Sequence, residues 1–199
     1  SQEIRAAHQE AVEKALKFLE SEAGCSRVGK LGQQVTKADL VFATFEHGTS
    51  RAQEPQLHTH CLLMNASVRQ NGSTGTVLMQ PIYKHKMAAG AIYRAELAYQ
   101  LQRRLGFQVE RDSEAKFSFR LKGVSRKLEK HFSTRRKEVE AHLKVRGLQG
   151  AAASSRMAVF SRSNKGHASR SKLIPKWREA GVAHDFSQDQ LEKLIQRKG

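Results

Sequence analysis

Cysteine is nearly absent from this sequence. Its two copies, Cys25 and Cys61, stand in no CxxC spacing, so neither a disulfide framework nor a thiolate zinc centre is implied. With no signal-peptide pattern in view, a reducing cytoplasm is the simplest setting. No apolar run approaches the roughly 20 residues that span a bilayer. The helical patterns also lack the division into a basic and an aromatic face that lays a helix on an anionic membrane, so a membrane partner is set aside. Acids are scarce. Between Glu140 and Glu179 there is none, while Lys144, Arg146, Arg156, Arg162, Lys165, Arg170, Lys172, Lys176 and Arg178 are basic. An initiator methionine is lacking too: the chain opens at Ser1 with a helical pattern under way by Ile4, and reads as a piece of a longer protein.

What is present is a foldable chain with a one-sided charge. A 39% hydrophobic content over 199 residues suits one domain with a core. Lys and Arg number 35 against 19 Asp and Glu, a formal charge of +16, which attracts a polyanion over a surface larger than one pocket. Nucleic acid is the expected partner.

Apolar residues at Ile4, Ala7, Ala11, Val12, Ala15, Leu16 and Leu19 recur at helical intervals, and Gly24 is placed to stop that helix in a left-handed cap. A strand over 39–45 ending near His47 and a second over 57–67 follow, with a Gly-, Ser- and Pro-bearing loop between them. Asn71-Gly72 predicts a hairpin that returns 74–79 antiparallel. Ala88, Ile92, Ala95, Leu101 and Leu105 mark a long helix ended by Gly106. A short hairpin over 107–109 and 117–121 comes next, then one helix from Val124 to Leu143, a basic stretch, and a last helix opened by a capping box at Ser187 and Gln190. The expected fold is α+β, a central antiparallel sheet flanked by helices with a helical, basic C-terminal part. The expected boundary separates a core at 1–146 from that part at 147–199.

His58 and His60 stand two apart on a strand, hence on one face and roughly 6.5–7 Å apart along the backbone. His47 ends the preceding strand. Three imidazoles leave coordination positions open, as a catalytic metal site does. Solvent-facing polar residues on an amphipathic strand would give the same spacing, and spacing alone leaves both readings open.

The segment HGTSRAQEPQLHTHCLLMNASV at 47–68 resembles the three-histidine motif of the MobF, or TrwC/TraI-type, conjugative relaxases of the HUH endonuclease superfamily. AAHQEAVEKALKFLE before it and AAGAIYRAELAYQLQRRLGFQVE after it resemble the family's neighbouring helices and strand. SRSNK and Trp177 are similar to a later element. The likeness covers nearly the whole chain and is strongest over 40–110. It implies an HUH relaxase-like palm in which His47, His58 and His60 hold a divalent metal ion, Mg or Mn first and Zn or Ni as alternatives, over a phosphate of single-stranded DNA at a transfer origin. It also implies strand-specific nicking and strand transfer through a tyrosine, without ATP, and other conjugation proteins as further partners. The family's nucleophilic tyrosine lies ahead of the histidines, so none is expected in this chain. Tyr83, Tyr93 and Tyr99 all follow the motif, and Tyr93 lies in a helical stripe beside Ile92 and Leu97, where a packed role is expected.

Lys84 and Lys86 lie near the start of the long helix, whose free amides favour anions. Residues 116–137 carry nine Lys and Arg against the single acid Glu129, too one-sided for a salt-bridged helix. Arg126 and Lys127 there, Arg51 in the histidine loop, and Arg162 with Lys165 further on are the expected DNA contacts. His8, His131, His142, His167 and His184 share no spacing and read as surface residues; the two cysteines read as core or neutral positions. Two rival functions are a single-stranded DNA-binding module that does not cleave and a metal-dependent phosphodiester hydrolase that forms no protein–DNA adduct.

Overall fold

The first helix, α1 (Gln2–Ala23), is opened by Ser1, whose hydroxyl accepts the Ile4 N–H at 3.3 Å. It buries Ala7, Ala11 and Ala15, a stripe of small side chains four residues apart. That stripe lets it pack closely on the long helix α2 (Met79–Leu105), which buries Ala89, Gln100, Leu101 and Leu105. The structure is a computed structural model and describes residues 1–160 and 168–195.

The polypeptide leaves α1 at Gly24, whose φ of −67° is extended, not the left-handed value expected from sequence. A Cβ there would collide with the Glu20 carbonyl oxygen and lie 2.6 Å from that of Ala38. The glycine is needed because backbone approaches backbone as the helix passes directly into a strand. Gly106 does take the left-handed conformation, at φ 66°, and its N–H returns to the Gln102 carbonyl at 3.0 Å to end α2.

Four strands form the main sheet in the order β1-β2-β3-β4: β1 (Cys25–Val28), β2 (Gln34–Thr49), β3 (Pro55–Arg69) and β4 (Thr74–Gly75). β1 pairs antiparallel with the start of β2, Cys25 opposite Lys37, and β4 pairs antiparallel with the end of β3, Ser67 opposite Gly75. The five residues 50–54 that join β2 to β3 are too few for a parallel crossover, so those neighbours are antiparallel as well. The returning strand expected over 74–79 is only two residues long, because Val77 bridges to Ser26 and α2 starts at Met79. Leu40, Val77, Ile82 and Ala23, with Phe42 and Leu63 against them, form the core under one face of this sheet. A second, two-stranded sheet pairs β5 (Val109–Arg111) with β6 (Phe119–Leu121).

The single helix expected from Val124 to Leu143 is two, α3 (Arg126–His131) and α4 (Thr134–Val145). Its break has a cause: the Thr134 N–H donates to the Glu54 carboxylate at 2.8 Å, a tertiary bond taken in place of a helical one. α5 (Ala151–Phe160), α6 (Arg170–Ala183) and α7 (Gln188–Leu194) follow. α7 opens with the expected capping box, Ser187 N–H to Gln190 Oε1 at 3.0 Å and Gln190 N–H to Ser187 Oγ at 3.4 Å.

By its internal contacts the chain falls into two compact units. One comprises Ser1–Glu46, His58–Lys122 and the described end from Leu194; the other comprises His47–Leu57 and Gly123–Lys193. The change of unit at 122/123 precedes α3. In the second unit, Arg135 donates to the Ala158 carbonyl at 2.6 Å and the Arg146 guanidinium lies 4.5 Å from the Phe160 ring centroid, tying α4 to α5. Among the described residues no helix is long and apolar enough to cross a membrane.

Candidate functional site

Strand alternation divides β3 into two rows. Leu63 and Ser67 face the helices and are half-buried and buried. His58 and His60 belong to the opposite row, with Leu62 and Met64, which are 56% and 48% exposed. The two imidazoles meet edge to face, ring centroids 5.0 Å apart and planes at 83°. Two neutral rings at that separation can turn their nitrogens toward a common point. His47 lies in β2, two residues before its end at Thr49, with the alternation of Val41 and Phe45. Among the described residues, no group of three or more His, Cys, Asp or Glu side chains is gathered so as to hold a metal ion. The pair formed by His58 and His60 is the part of the three-histidine motif that the structure brings together.

Thr59, between the pair, belongs to the row facing the helices. Its hydroxyl is 2.7 Å from Nε2 of His8 on α1, and Nδ1 of the same ring is 2.9 Å from the Tyr93 hydroxyl on α2. His8 is therefore not a surface residue. It is 3% exposed and bridges two helices and a strand. Burial lowers its pKa below 6.5; Glu46 opposes that shift and His58 adds to it. Burial also pushes the Tyr93 phenol up, in a side chain held by the His8 ring. Tyr93 thus has the packed role expected of it. The Cys61 thiol is likewise raised by burial, which disfavours the thiolate, and both cysteines are free and half-buried.

The loop 50–54 is built by Glu54, a residue without a sequence signal. Its side chain is 9% exposed; one carboxylate oxygen accepts the Thr134 N–H and the other the Ser50 hydroxyl at 3.3 Å. The Trp177 indole N–H donates to the Gln53 carbonyl at 2.9 Å, fixing the same loop from α6. Arg51 is exposed on it. Close to Gly48 lies the Arg170 guanidinium, 3.7 Å from where a Cβ would stand.

Lys84 and Lys86 are exposed, but α2 begins at Met79, so they lie in its second turn, beyond the free amides of the first. Lys86 Nζ sits 5.6 Å from the Tyr83 ring centroid, and His85 Nδ1 is 2.9 Å from the Pro81 carbonyl oxygen. Arg126 and Lys127 occupy the first turn of α3, Arg126 being 3.9 Å from Glu129. The stretch 116–137 is less one-sided than its composition suggests. Arg120 pairs with Glu110 at 3.0 Å, Arg135 with Glu138 at 2.9 Å and Arg136 with Glu140 at 2.8 Å, each partner lying outside the stretch. His131 and His184, which spacing left unrelated, lie together with ring centroids 4.7 Å apart. Arg162, Lys165 and His167 lie outside the described residues.

The profile of the TrwC relaxase family matches residues 1–184. The multifunctional conjugation protein TraI of Escherichia coli K12 is 36% identical over 115 residues, covering 52% of this chain and 6% of TraI. Two structures of the conjugative relaxase TrwC are 29% identical and cover 94% of this chain. One is complexed with a 27-mer DNA comprising the recognition hairpin and the cleavage site, at a TM-score of 0.85 and 68% coverage of that chain. The other is a metal-bound complex with oriT DNA, at 0.84 and 65%. The chain thus spans a small fraction of TraI and about two thirds of the TrwC chains.

Proposed function

The chain belongs to the TrwC relaxase family, and from that premise we propose that it binds single-stranded DNA at a transfer origin and supplies the metal-holding part of a site for strand-specific nicking and strand transfer. The observation that carries the proposal is the His58–His60 pair on the exposed row of β3, in a chain that matches DNA-bound relaxases over 94% of its length. His47 is the third ligand in this reading. Three imidazoles suit zinc, nickel or copper by affinity, while magnesium and manganese are the usual ions of phosphoryl chemistry. Once bound, a divalent cation withdraws charge from a non-bridging phosphate oxygen and makes the phosphorus more electrophilic.

The chain's own residues do the rest. Neutral imidazoles hold the ion without adding charge that would repel it, while Arg51, Lys84, Lys86, Arg126 and Lys127 bind the DNA backbone. A net charge of +16 supports that assignment. Tyr93, hydrogen-bonded to His8 at 2.9 Å and set edge-on against its ring, is assigned a packing role in this reading. Two unpaired thiols suit a reducing cytoplasm.

Manganese calorimetry and fluorescence anisotropy with single-stranded origin DNA test the reading together. Alanine at His47, His58 or His60 is expected to abolish tight manganese binding and to leave DNA affinity within about threefold, since that affinity is spread over many cations. DNA affinity itself should fall steeply with salt, by at least about tenfold from 50 to 200 mM. Unchanged manganese binding in the His58 and His60 variants would dismiss the ligand set. An affinity flat in salt would dismiss the DNA reading.

A further inference from the structure

His8 lies on α1, fifty-one residues before Thr59, the strand residue it touches. A neutral imidazole carries one N–H and one bare nitrogen, so it can donate to one neighbour while accepting from another. Hydroxyls serve either role, and His8 has one on each side: Thr59 Oγ1 at 2.7 Å and Tyr93 Oη at 2.9 Å. Its ring also stands edge-on to that of Tyr93, centroids 5.7 Å apart. α1, α2 and β3 are thereby pinned at one point, and on β3 that point is the residue between His58 and His60.

We propose that His8 is a positioning residue for the His58–His60 pair, holding β3 through the Thr59 hydroxyl so that the imidazoles on either side keep a fixed separation and direction. This rests on the metal reading above. In a strand the orientation of residues i−1 and i+1 follows from the peptide planes that residue i joins. Anchoring the Thr59 side chain from the helix side therefore sets the tilt of both neighbours on the other side. Hydrophobic packing does not supply that restraint here, because the row carrying the histidines continues into the exposed Leu62 and Met64. A metal site loses affinity when its ligands are free to rotate, since each must be ordered on binding, and the partners that orient ligands are worth about ten- to a hundredfold in affinity.

The two arms of the network have different consequences. The Thr59 arm acts on the metal pair, whereas the Tyr93 arm joins helix to helix and acts on stability alone. A cleft of about 270 Å³ borders His8, Thr59 and Tyr93, so His8→Phe has space for its ring while losing both hydrogen bonds. Thr59→Val keeps the β-branched shape and loses only the hydroxyl.

The test is manganese affinity by calorimetry, with cobalt(II) visible absorption as a report on ligand geometry, on variants shown by circular dichroism to be folded at the working temperature. His8→Phe and Thr59→Val should each weaken manganese binding by about tenfold and alter the cobalt spectrum. The double variant should be no weaker than the worse single one, because both remove the same bond. Tyr93→Phe should lower Tm and leave manganese affinity within about threefold. His8→Gln, whose amide can reach the Thr59 hydroxyl, should restore most of the affinity. Folded His8→Phe and Thr59→Val proteins that bind manganese like the wild type would overturn the proposal and leave the metal reading standing. Additive losses would overturn it too, because the two residues would then act separately. If His8→Phe does not fold, Thr59→Val and the rescue by glutamine decide the matter alone. A wild-type chain that binds no manganese would overturn this inference together with the ligand set it serves.

Discussion

The surroundings of His8 favour its uncharged ring, and the dependence of stability on pH follows from that. Burial removes water from the imidazole and lowers its pKa in the folded chain, more than the Glu46 carboxylate nearby raises it. In the unfolded chain the same ring titrates near 6.5. Between the lowered value and 6.5 the unfolded state binds more protons, so stability rises with pH across that window. The contribution is therefore complete above 6.5 and is lost as pH falls through the folded value. In urea denaturation with chelator present, the wild type should lose more stability than His8→Gln on going from pH 7.5 to pH 5. The same pH dependence in the two proteins would mean that His8 titrates as it does in water. At this scale the sequence concealed most. His58 and His60 are legible because their relation is local, two residues apart on one strand. His8 is invisible because its partners lie 51 and 85 residues away, and Glu54 because its buried carboxylate answers an N–H 80 residues further on.

Among the elements, glycines end α1 and α2 by different physics, and the difference is measurable. Gly106 sits at φ 66°, so alanine there costs a conformational penalty of about 1 kcal/mol. Gly24 has an ordinary φ, yet a Cβ there would run into the carbonyl oxygens of both α1 and β2. Backbone cannot swing aside as a long side chain can, so Gly24→Ala should cost about 2–3 kcal/mol. Urea midpoints of the two variants check the order, and a larger loss for Gly106→Ala would show that α1 and β2 separate easily. Periodicity and turn chemistry made much of this level readable. The end of α2, the Asn71-Gly72 turn with Gly72 at φ 79° and the capping box of α7 all follow from residues adjacent in sequence. β1 left no such trace: its four residues, Cys-Ser-Arg-Val, neither alternate clearly nor form an apolar run, and they are a strand because β2 extends five residues further back than its apolar pattern to meet them. The split between α3 and α4 was hidden for the same reason as Glu54, since a continuous apolar pattern does not record a carboxylate arriving from another part of the chain.

For the molecule as a whole, the path of the chain matters more than its composition. Its second unit is not one stretch of sequence but two, His47–Leu57 and Gly123–Lys193, separated by 58–122 of the other unit. Cutting after Lys122 consequently does not divide the units. The fragment 123–199 would lack the Gln53 carbonyl that Trp177 donates to and the Glu54 carboxylate that takes the Thr134 N–H. Trp177 is the sole tryptophan, so its emission reports the outcome. It should be red-shifted in that fragment alone and move back toward the intact value when fragment 1–122 is added, less so when the added fragment carries Glu54→Ala. Emission indifferent to the added fragment would mean that 123–199 folds without the loop. Synthesis of the protein is ordered by the same threading. Loop 50–54 leaves the ribosome well ahead of its partners, Thr134 following Glu54 by 80 residues and Trp177 following Gln53 by 124. Until the second of these has emerged, the strands that carry the histidines can pair while their connecting loop waits for the residues that fix it.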